Sequence, residues 1–91
     1  MFKTLEELIN IIRKRKMSSV KESYTKKLLD NKKLSVEKVK EEIAELIDAI
    51  EKNSNKVHES ADVLYHLMVL LEANGIKIED VMDELKKRQK W

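Results

Sequence analysis

The sequence has no cysteine and no proline, and Gly75 is its single glycine. The lack of cysteine excludes disulfide bonds and thiolate metal sites, and it favours a reducing compartment. The lack of proline removes the residue that most often interrupts helices. Aromatic residues make up only 4% of the chain, and no apolar run approaches the roughly 20 residues that span a bilayer. We therefore expect a soluble, cytoplasmic protein without a membrane segment.

Charge is what the chain has in abundance, since 40% of its 91 residues are Asp, Glu, Lys or Arg and the net charge is only +2. Residues 1–40 carry 12 Lys/Arg against 5 Asp/Glu, whereas residues 41–91 carry 7 against 12. A basic half beside an acidic half suits an anionic ligand together with a cation, although solvated helix faces would give the same bias. Nucleic-acid binding is disfavoured, because the basic residues lack interleaved aromatics.

The composition predicts one all-α domain spanning residues 1–91. Capping boxes predict that a first helix begins at Thr4 and ends near Lys16, and that a short helix through Leu29 follows Ser19–Glu22. A polar loop is expected at residues 30–33. Three further helices are predicted from apolar periodicity and end signals. They are Val36–Lys52 with Ser35 as N-cap, Lys56–Asn74 with Asn55 as N-cap and Gly75 as its stop, and Glu79–Lys90.

The middle of the helix predicted after Asn55 is apolar around almost its whole circumference. This segment runs from Ala61 to Leu71 and is interrupted mainly by Asp62 and His66. A helix of this kind must be buried on several sides, and one short chain has too few other helices to surround it. We therefore expect a bundle completed by homo-oligomerisation, with this helix at a subunit interface.

Two pairs of carboxylates lie on the two central helices, Glu42 with Glu45 and Glu59 with Asp62. The spacing of three residues puts both members of a pair on one helix face, and apolar residues flank each pair. If the helices are antiparallel and joined around residues 52–55, the pairs lie at similar heights, since a helix rises about 1.5 Å per residue. Four carboxylates at a core edge repel one another unless a cation lies between them. The sequence therefore predicts a Mg²⁺ site in a helical hairpin.

Several segments of the chain carry a resemblance to a known family. They are Ser23–Thr25, Lys27–Leu29, Lys38–Glu45, Glu59–Leu67, Gly75–Ile76 and Glu79–Val81. Together they resemble the phosphoribosyl-ATP pyrophosphohydrolases, which belong to the all-α MazG-like nucleotide pyrophosphohydrolases. The superfamily signature, EExxE followed by ExxD, stands here at Glu41, Glu42, Glu45, Glu59 and Asp62. The chain departs from the family at Lys40, where a glycine is usual.

The resemblance implies hydrolysis of phosphoribosyl-ATP to phosphoribosyl-AMP and pyrophosphate, the second step of histidine biosynthesis, with Mg²⁺ as cofactor. It implies the same metal ligands as the spacing, namely Glu42, Glu45, Glu59 and Asp62. The general base should be a carboxylate near the metal, and both Glu45 and Glu41 are candidates. The cations expected to meet the phosphates lie in family-like segments of the basic half, and they are Arg15, Lys16, Lys27 and Lys38. Tyr24 could pack on the base or the ribose of the substrate.

Two histidines have competing interpretations. His66 lies one turn after Asp62, so it either orients that carboxylate or is a buried, hydrogen-bonded structural residue. His58 opens a run that resembles the HExxH motif of zinc proteases, but Asp62 stands in place of the second histidine, which excludes that assignment.

Two other functions remain open from the residues. Lys40 keeps open a housecleaning pyrophosphohydrolase of the same superfamily, which would act on non-canonical NTPs or dNTPs. A non-catalytic helical adaptor, whose glutamate pairs would only make salt bridges, would show no metal dependence. The apolar central helix favours a homodimer or a higher homo-oligomer, and the resemblance implies a small nucleotide substrate.

Overall fold

A computed structural model describes residues 1–18 and 23–91 of the chain. These residues form five α-helices and no strand. The helices are α1 (Lys3–Lys16), α2 (Tyr24–Leu29), α3 (Lys32–Lys52), α4 (Lys56–Ala73) and α5 (Ile78–Lys87). The all-α prediction is confirmed. No helix in the described ranges is long and apolar enough to cross a membrane.

Helix α1 begins earlier than its capping box predicts. Thr4 lies inside the helix, and Phe2 occupies the N-cap position without a side-chain hydrogen bond. The Glu6 amide donates to the Phe2 carbonyl oxygen at 3.1 Å, which closes the first turn ahead of Thr4. The predicted end at Lys16 is confirmed.

The cap of α2 is Ser23, whose hydroxyl accepts a hydrogen bond from the Lys26 amide at 3.3 Å. The capping box predicted at Ser19–Glu22 lies outside the described residues. The predicted short helix ending at Leu29 is confirmed.

Helix α3 also starts before its predicted cap. The Asn31 side chain accepts a hydrogen bond from the Leu34 amide at 3.0 Å, so the helix begins at Lys32. The predicted cap, Ser35, lies within the helix and is 1% exposed. The polar loop expected at residues 30–33 therefore shrinks to Asp30 and Asn31, because an asparagine four residues earlier offers an equally good cap.

A tight turn joins α3 to α4. Asn53 and Asn55 both adopt left-handed backbone conformations, with φ of 54° and 53°, and asparagine tolerates this region better than most residues. Asn55 occupies the N-cap position as predicted, but its side chain makes no capping hydrogen bond. The short connection folds α3 and α4 into an antiparallel hairpin.

Gly75 ends α4 as predicted, with φ of 69°. The Ile76 amide donates to the Leu71 carbonyl oxygen at 2.9 Å, and the Gly75 amide donates to that of Glu72 at 3.1 Å. This pair of hydrogen bonds forms a Schellman motif, which favours glycine at its left-handed position. Helix α5 follows at Ile78 and ends at Lys87, shorter than predicted.

The core lies where α1 and α2 pack against α4. Its buried residues are Ile12, Leu28, Leu29, Met68, Val69 and Ala73. Helix α3 packs along α4 on another side and buries Val39 and Ala49. The α3–α4 hairpin therefore lies at one side of the molecule, and its carboxylates lie along the contact between the two helices.

Candidate metal centre

The four predicted carboxylates converge across the α3–α4 hairpin. Glu45 of α3 lies within hydrogen-bonding reach of Glu42 on its own helix and of Glu59 on α4. Asp62 is close enough to act electrostatically on both Glu42 and Glu59. The antiparallel register therefore brings together the side chains that the spacing placed on two helix faces.

Two oxygens of this group are buried without a partner. Glu42 is only 8% exposed. Within the described residues, the buried side-chain oxygens that lack a hydrogen-bond partner are Glu42 Oε2, Glu59 Oε2 and Ser35 Oγ. A buried carboxylate oxygen with no donor is costly. Two such oxygens beside further carboxylates fit a site that is completed by a cation.

The pKa shifts of these carboxyl groups also favour a bound cation. Burial raises the pKa of Glu42, and the neighbouring Glu45 raises it further. Burial also raises the pKa of Glu59, with Glu45 and Asp62 adding to the effect. Their neighbours thus disfavour ionisation of Glu42 and Glu59, and a bound cation would reverse that preference.

The potential ligand atoms fall into two groups, one on each helix. Those of Glu41, Glu42 and Glu45 lie within 4.8 Å of one another on α3, and so do those of His58, Glu59 and Asp62 on α4. Carboxylate oxygens are the ligands that Mg²⁺ prefers, so the donor set fits such an ion. Sequence reasoning did not include His58 in the site, although its spacing of four residues from Asp62 was a usable signal.

A tyrosine–histidine pair borders Glu42. His66 Nδ1 lies 2.8 Å from the Asp62 carbonyl oxygen and therefore donates to it, because a carbonyl can only accept. In the neutral ring, Nε2 then accepts from the Tyr24 hydroxyl at 3.1 Å. Burial raises the pKa of Tyr24, which keeps that hydroxyl protonated. His66 is thus a buried residue that bonds the backbone of Asp62 and not its carboxylate.

A second pair of hydroxyl groups lies beside the Tyr24–His66 hydrogen bond. Thr25 and Tyr65 are hydrogen-bonded through their hydroxyl groups. The Tyr65 ring stacks against Tyr24 with centroids 6.4 Å apart and meets His66 edge-on at 4.9 Å. These contacts fix α2 against α4 beside the carboxylates.

Lys38 is the predicted cation that lies nearest to the carboxylates. Its ammonium group is 3.4 Å from the Glu41 carboxylate, and Glu41 raises the pKa of Lys38. Tyr24 and Glu42 also act electrostatically on Lys38. Lys38 and Tyr24 therefore share one border of the site, with Glu41 at its exposed edge.

Arg15 and Lys16 lie at the far end of α4 from the carboxylates. Lys16 Nζ donates to the Glu72 carbonyl oxygen at 2.8 Å. Glu72 is ten residues beyond Asp62, or about 15 Å along the helix axis. Arg15 is exposed in the same last turn of α1, and Lys27 is exposed on α2, one turn after Tyr24. Arg15 and Lys16 thus lie at the other end of α4 from the carboxylates that Lys38 borders.

The chain matches a family model described as phosphoribosyl-ATP pyrophosphohydrolase over residues 5–89. It is 40% identical over 90 residues to the phosphoribosyl-ATP pyrophosphatase of Methanococcoides burtonii, a match that covers 93% of this chain and 91% of the relative. It is 44% identical over 92 residues to the phosphoribosyl-ATP pyrophosphatase of Methylobacterium nodulans, with coverage of 93% and 82%.

A longer relative matches equally well over part of its length. The chain is 45% identical over 93 residues to the chloroplastic histidine biosynthesis bifunctional protein hisIE of Arabidopsis thaliana. That match covers 93% of this chain but 33% of the relative, so the chain spans about a third of the bifunctional protein.

Proposed function

The chain belongs to the phosphoribosyl-ATP pyrophosphohydrolase family, and on this premise we propose that it hydrolyses phosphoribosyl-ATP to phosphoribosyl-AMP and pyrophosphate, the second step of histidine biosynthesis. The observation that carries the proposal is the convergence of Glu42, Glu45, Glu59 and Asp62 in a chain that matches the family over residues 5–89. Hydrolysis of a phosphoanhydride needs neutralised phosphate charge, an activated water and an oriented anion.

The four carboxylates are proposed to hold a divalent cation, with Mg²⁺ as the working ion. The unpartnered oxygens of Glu42 and Glu59 support this assignment. When bound, such an ion neutralises phosphate oxygens and makes a bound water more acidic. The chain's own contribution is to hold the four ligands together on two helices that a short turn locks into register.

Glu45 is the better candidate for the general base. It stands between Glu42 and Glu59, close to the oxygens that lack partners. Glu41 is half-exposed and its carboxylate is already paired with Lys38. This ion pair suits Glu41 to keeping Lys38 in place.

The substrate is proposed to enter along the border formed by Lys38 and Tyr24. Lys38 would meet a phosphate oxygen, and the Tyr24 ring, which is 47% exposed, offers a face to the base or the ribose. Phosphoribosyl-ATP carries a second phosphate on its added ribose. The cations proposed to contact this group are Arg15, Lys16 and Lys27, of which Arg15 and Lys16 lie at the other end of α4 from the carboxylates.

Residues 1–91 are proposed to act as one domain in a homodimer. Exposed apolar side chains line the outer face of the α3–α4 hairpin, where they give a second copy a surface to cover. They are Val36, Ile43, Ile47 and Ile50 on α3 with Val57 and Leu64 on α4. A chain free of cysteine suits a reducing compartment such as the cytoplasm.

A substrate panel tests the proposed reaction. Pyrophosphate release would be followed with phosphoribosyl-ATP, ATP and the four common dNTPs, each with millimolar Mg²⁺ and with EDTA. We expect Mg²⁺-dependent release that is much faster from phosphoribosyl-ATP than from any other nucleotide. Comparable release from dNTPs would instead identify a housecleaning enzyme, and no release from any nucleotide would favour the adaptor.

The position of Lys40 bears on the housecleaning alternative, which this residue kept open. Lys40 is exposed on α3 and precedes Glu42 by two residues, which puts it about 200° around the helix from that carboxylate. It therefore lies on the outer side of the hairpin and not beside the ligands. This position supports the assignment of phosphoribosyl-ATP as the substrate despite the change from glycine at Lys40.

A further inference from the structure

His58 brings a nitrogen donor to one side of the metal centre. It lies in the first turn of α4, and its Nε2 is 3.4 Å from Asp62 Oδ2. The ligand atoms of His58, Glu59 and Asp62 all lie within 4.8 Å of one another. These atoms are close enough to one another for a single ion to contact all three side chains.

The two helices offer different donor sets. The α3 group consists of Glu41, Glu42 and Glu45 and provides oxygen alone. The α4 group adds an imidazole to two carboxylates. Carboxylates suit Mg²⁺ and Mn²⁺, whereas imidazole suits Co²⁺, Ni²⁺ and Zn²⁺, whose affinities for mixed nitrogen and oxygen sites also exceed that of Mn²⁺.

An ordinary ion pair does not account for the group. The His58 side chain is 74% exposed, and an exposed pair with Asp62 would contribute little. It would also leave Glu59 Oε2 buried without a partner. On the facing helix, the group nearest to Glu59 is the Glu45 carboxylate, which supplies no donor when ionised. A cation would serve Glu59, Asp62 and His58 together.

We propose that His58 is a ligand of the ion held by Glu59 and Asp62, and that it shifts this part of the centre toward borderline transition metals such as Co²⁺ and Zn²⁺. The inference rests on the proposed metal centre and refines its choice of ion. Mg²⁺, which prefers oxygen, would bind with little help from His58.

The test uses Mn²⁺ as a paramagnetic probe and Co²⁺ and Mg²⁺ for affinity. Electron spin-echo spectroscopy of the wild-type protein with Mn²⁺ should show coupling to a directly bound nitrogen, and His58→Ala should remove it. By calorimetry, His58→Ala should weaken Co²⁺ binding by about tenfold or more and change Mg²⁺ binding by less than about twofold. Lys56→Ala, an exposed change in the same turn, should leave both affinities unaltered.

The outcomes separate this inference from the proposed function. Mn²⁺ binding without nitrogen coupling, or equal weakening of Co²⁺ and Mg²⁺ in His58→Ala, would overturn the role of His58 and leave the carboxylate centre standing. Failure of the wild-type protein to bind any of the three ions would overturn the centre itself, and with it the role of His58.

Discussion

Ionisation of the Glu42 carboxyl group favours ion binding but destabilises the folded, metal-free protein. The raised pKa means that the folded protein holds the Glu42 proton to higher pH than the unfolded chain does, above the ordinary value of 4.5. The corresponding stability is fully present below that ordinary value and is lost as the pH rises through the folded-state pKa. Above that folded-state pKa, the metal-free protein therefore keeps a buried, repelled carboxylate that lowers its stability.

Glu42→Gln should raise the stability of the metal-free protein and weaken its response to Mg²⁺. In EDTA at pH 7 the variant should be more stable than the wild type by on the order of 1 kcal/mol, because the amide can donate to Glu45 where the carboxylate is repelled. That change raises the Tm of a domain of this size by about 4–8 °C. Adding Mg²⁺ should stabilise the wild type by mass action and the variant far less. Thermal unfolding over pH 4–8, with and without Mg²⁺, measures both effects.

Glu51→Gln is the matched control, since Glu51 is exposed on α3 outside the carboxylate group. It should change neither the EDTA stability nor the Mg²⁺ response. A Glu42→Gln protein that is less stable in EDTA, or that gains as much from Mg²⁺ as the wild type, would contradict the account of Glu42.

The sequence predicted the four carboxylates well because their meeting depends only on helical spacing and a short turn. It did not predict the Tyr24–His66 hydrogen bond, because that contact depends on how α2 lies across α4, which no local pattern encodes. It also did not predict that Lys16 contacts Glu72, because only the packing of α1 on α4 brings these two residues together.

At the scale of the helix, α5 is attached to α1 by the Arg13–Glu79 ion pair, beside the packing of Ile78 on the core. Arg13 of α1 holds the Glu79 carboxylate through two nitrogens, at 2.9 and 2.5 Å. This contact lowers the pKa of Glu79 to about 2, from an ordinary value of 4.5. Its contribution to stability is therefore present above pH 4.5 and is lost as the pH falls toward 2.

Arg13→Gln should loosen α5 without disturbing the metal centre. Loss of an exposed pair of charges should speed amide hydrogen exchange in residues 78–87 by a factor of roughly two to five. Exchange in α3 and α4 near the carboxylates should be unchanged. Arg88→Gln is the control, because Arg88 pairs with Glu84 inside α5 itself. If both variants alter α5 equally, Arg13 does not anchor the helix.

The sequence predicts which helices form more securely than it predicts where each helix begins and ends. All five helices were expected, and Gly75 ends α4 as its left-handed conformation requires. The starts were misplaced where two capping residues compete, as Asn31 and Ser35 do ahead of α3. Tertiary burial of Ser35 decides between them, and burial cannot be read from a local cap signal.

At the scale of the whole molecule, the hairpin has two unlike faces. One carries the carboxylates, and the outer one exposes Val36, Ile43, Ile47 and Ile50 at 38–56% along α3. Their spacing of three, four and seven residues forms a continuous stripe. The sequence indicated an interface on α4, and the structure adds α3 to the surface that a second copy would cover.

Ile47→Glu should convert the proposed dimer to a monomer. Ile47 is 51% exposed, so the substitution should leave the fold of a single chain intact while burying a charge in any interface. Light scattering should give twice 10.7 kDa for the wild type and 10.7 kDa for the variant. Lys52→Glu, on another face of α3, should remain dimeric. A wild type that is monomeric at micromolar concentration would contradict the dimer.

The central claim is that carboxylates of one hairpin hold a cation that supports hydrolysis of phosphoribosyl-ATP. Pyrophosphate release from this substrate, with Mg²⁺ or EDTA, by wild type, Glu45→Gln and the control Glu51→Gln tests it most directly. We predict release that requires Mg²⁺, falls by about 100-fold or more in Glu45→Gln and is unchanged in Glu51→Gln. Release that persists in EDTA, or a Glu45→Gln protein as active as the wild type, would contradict the account.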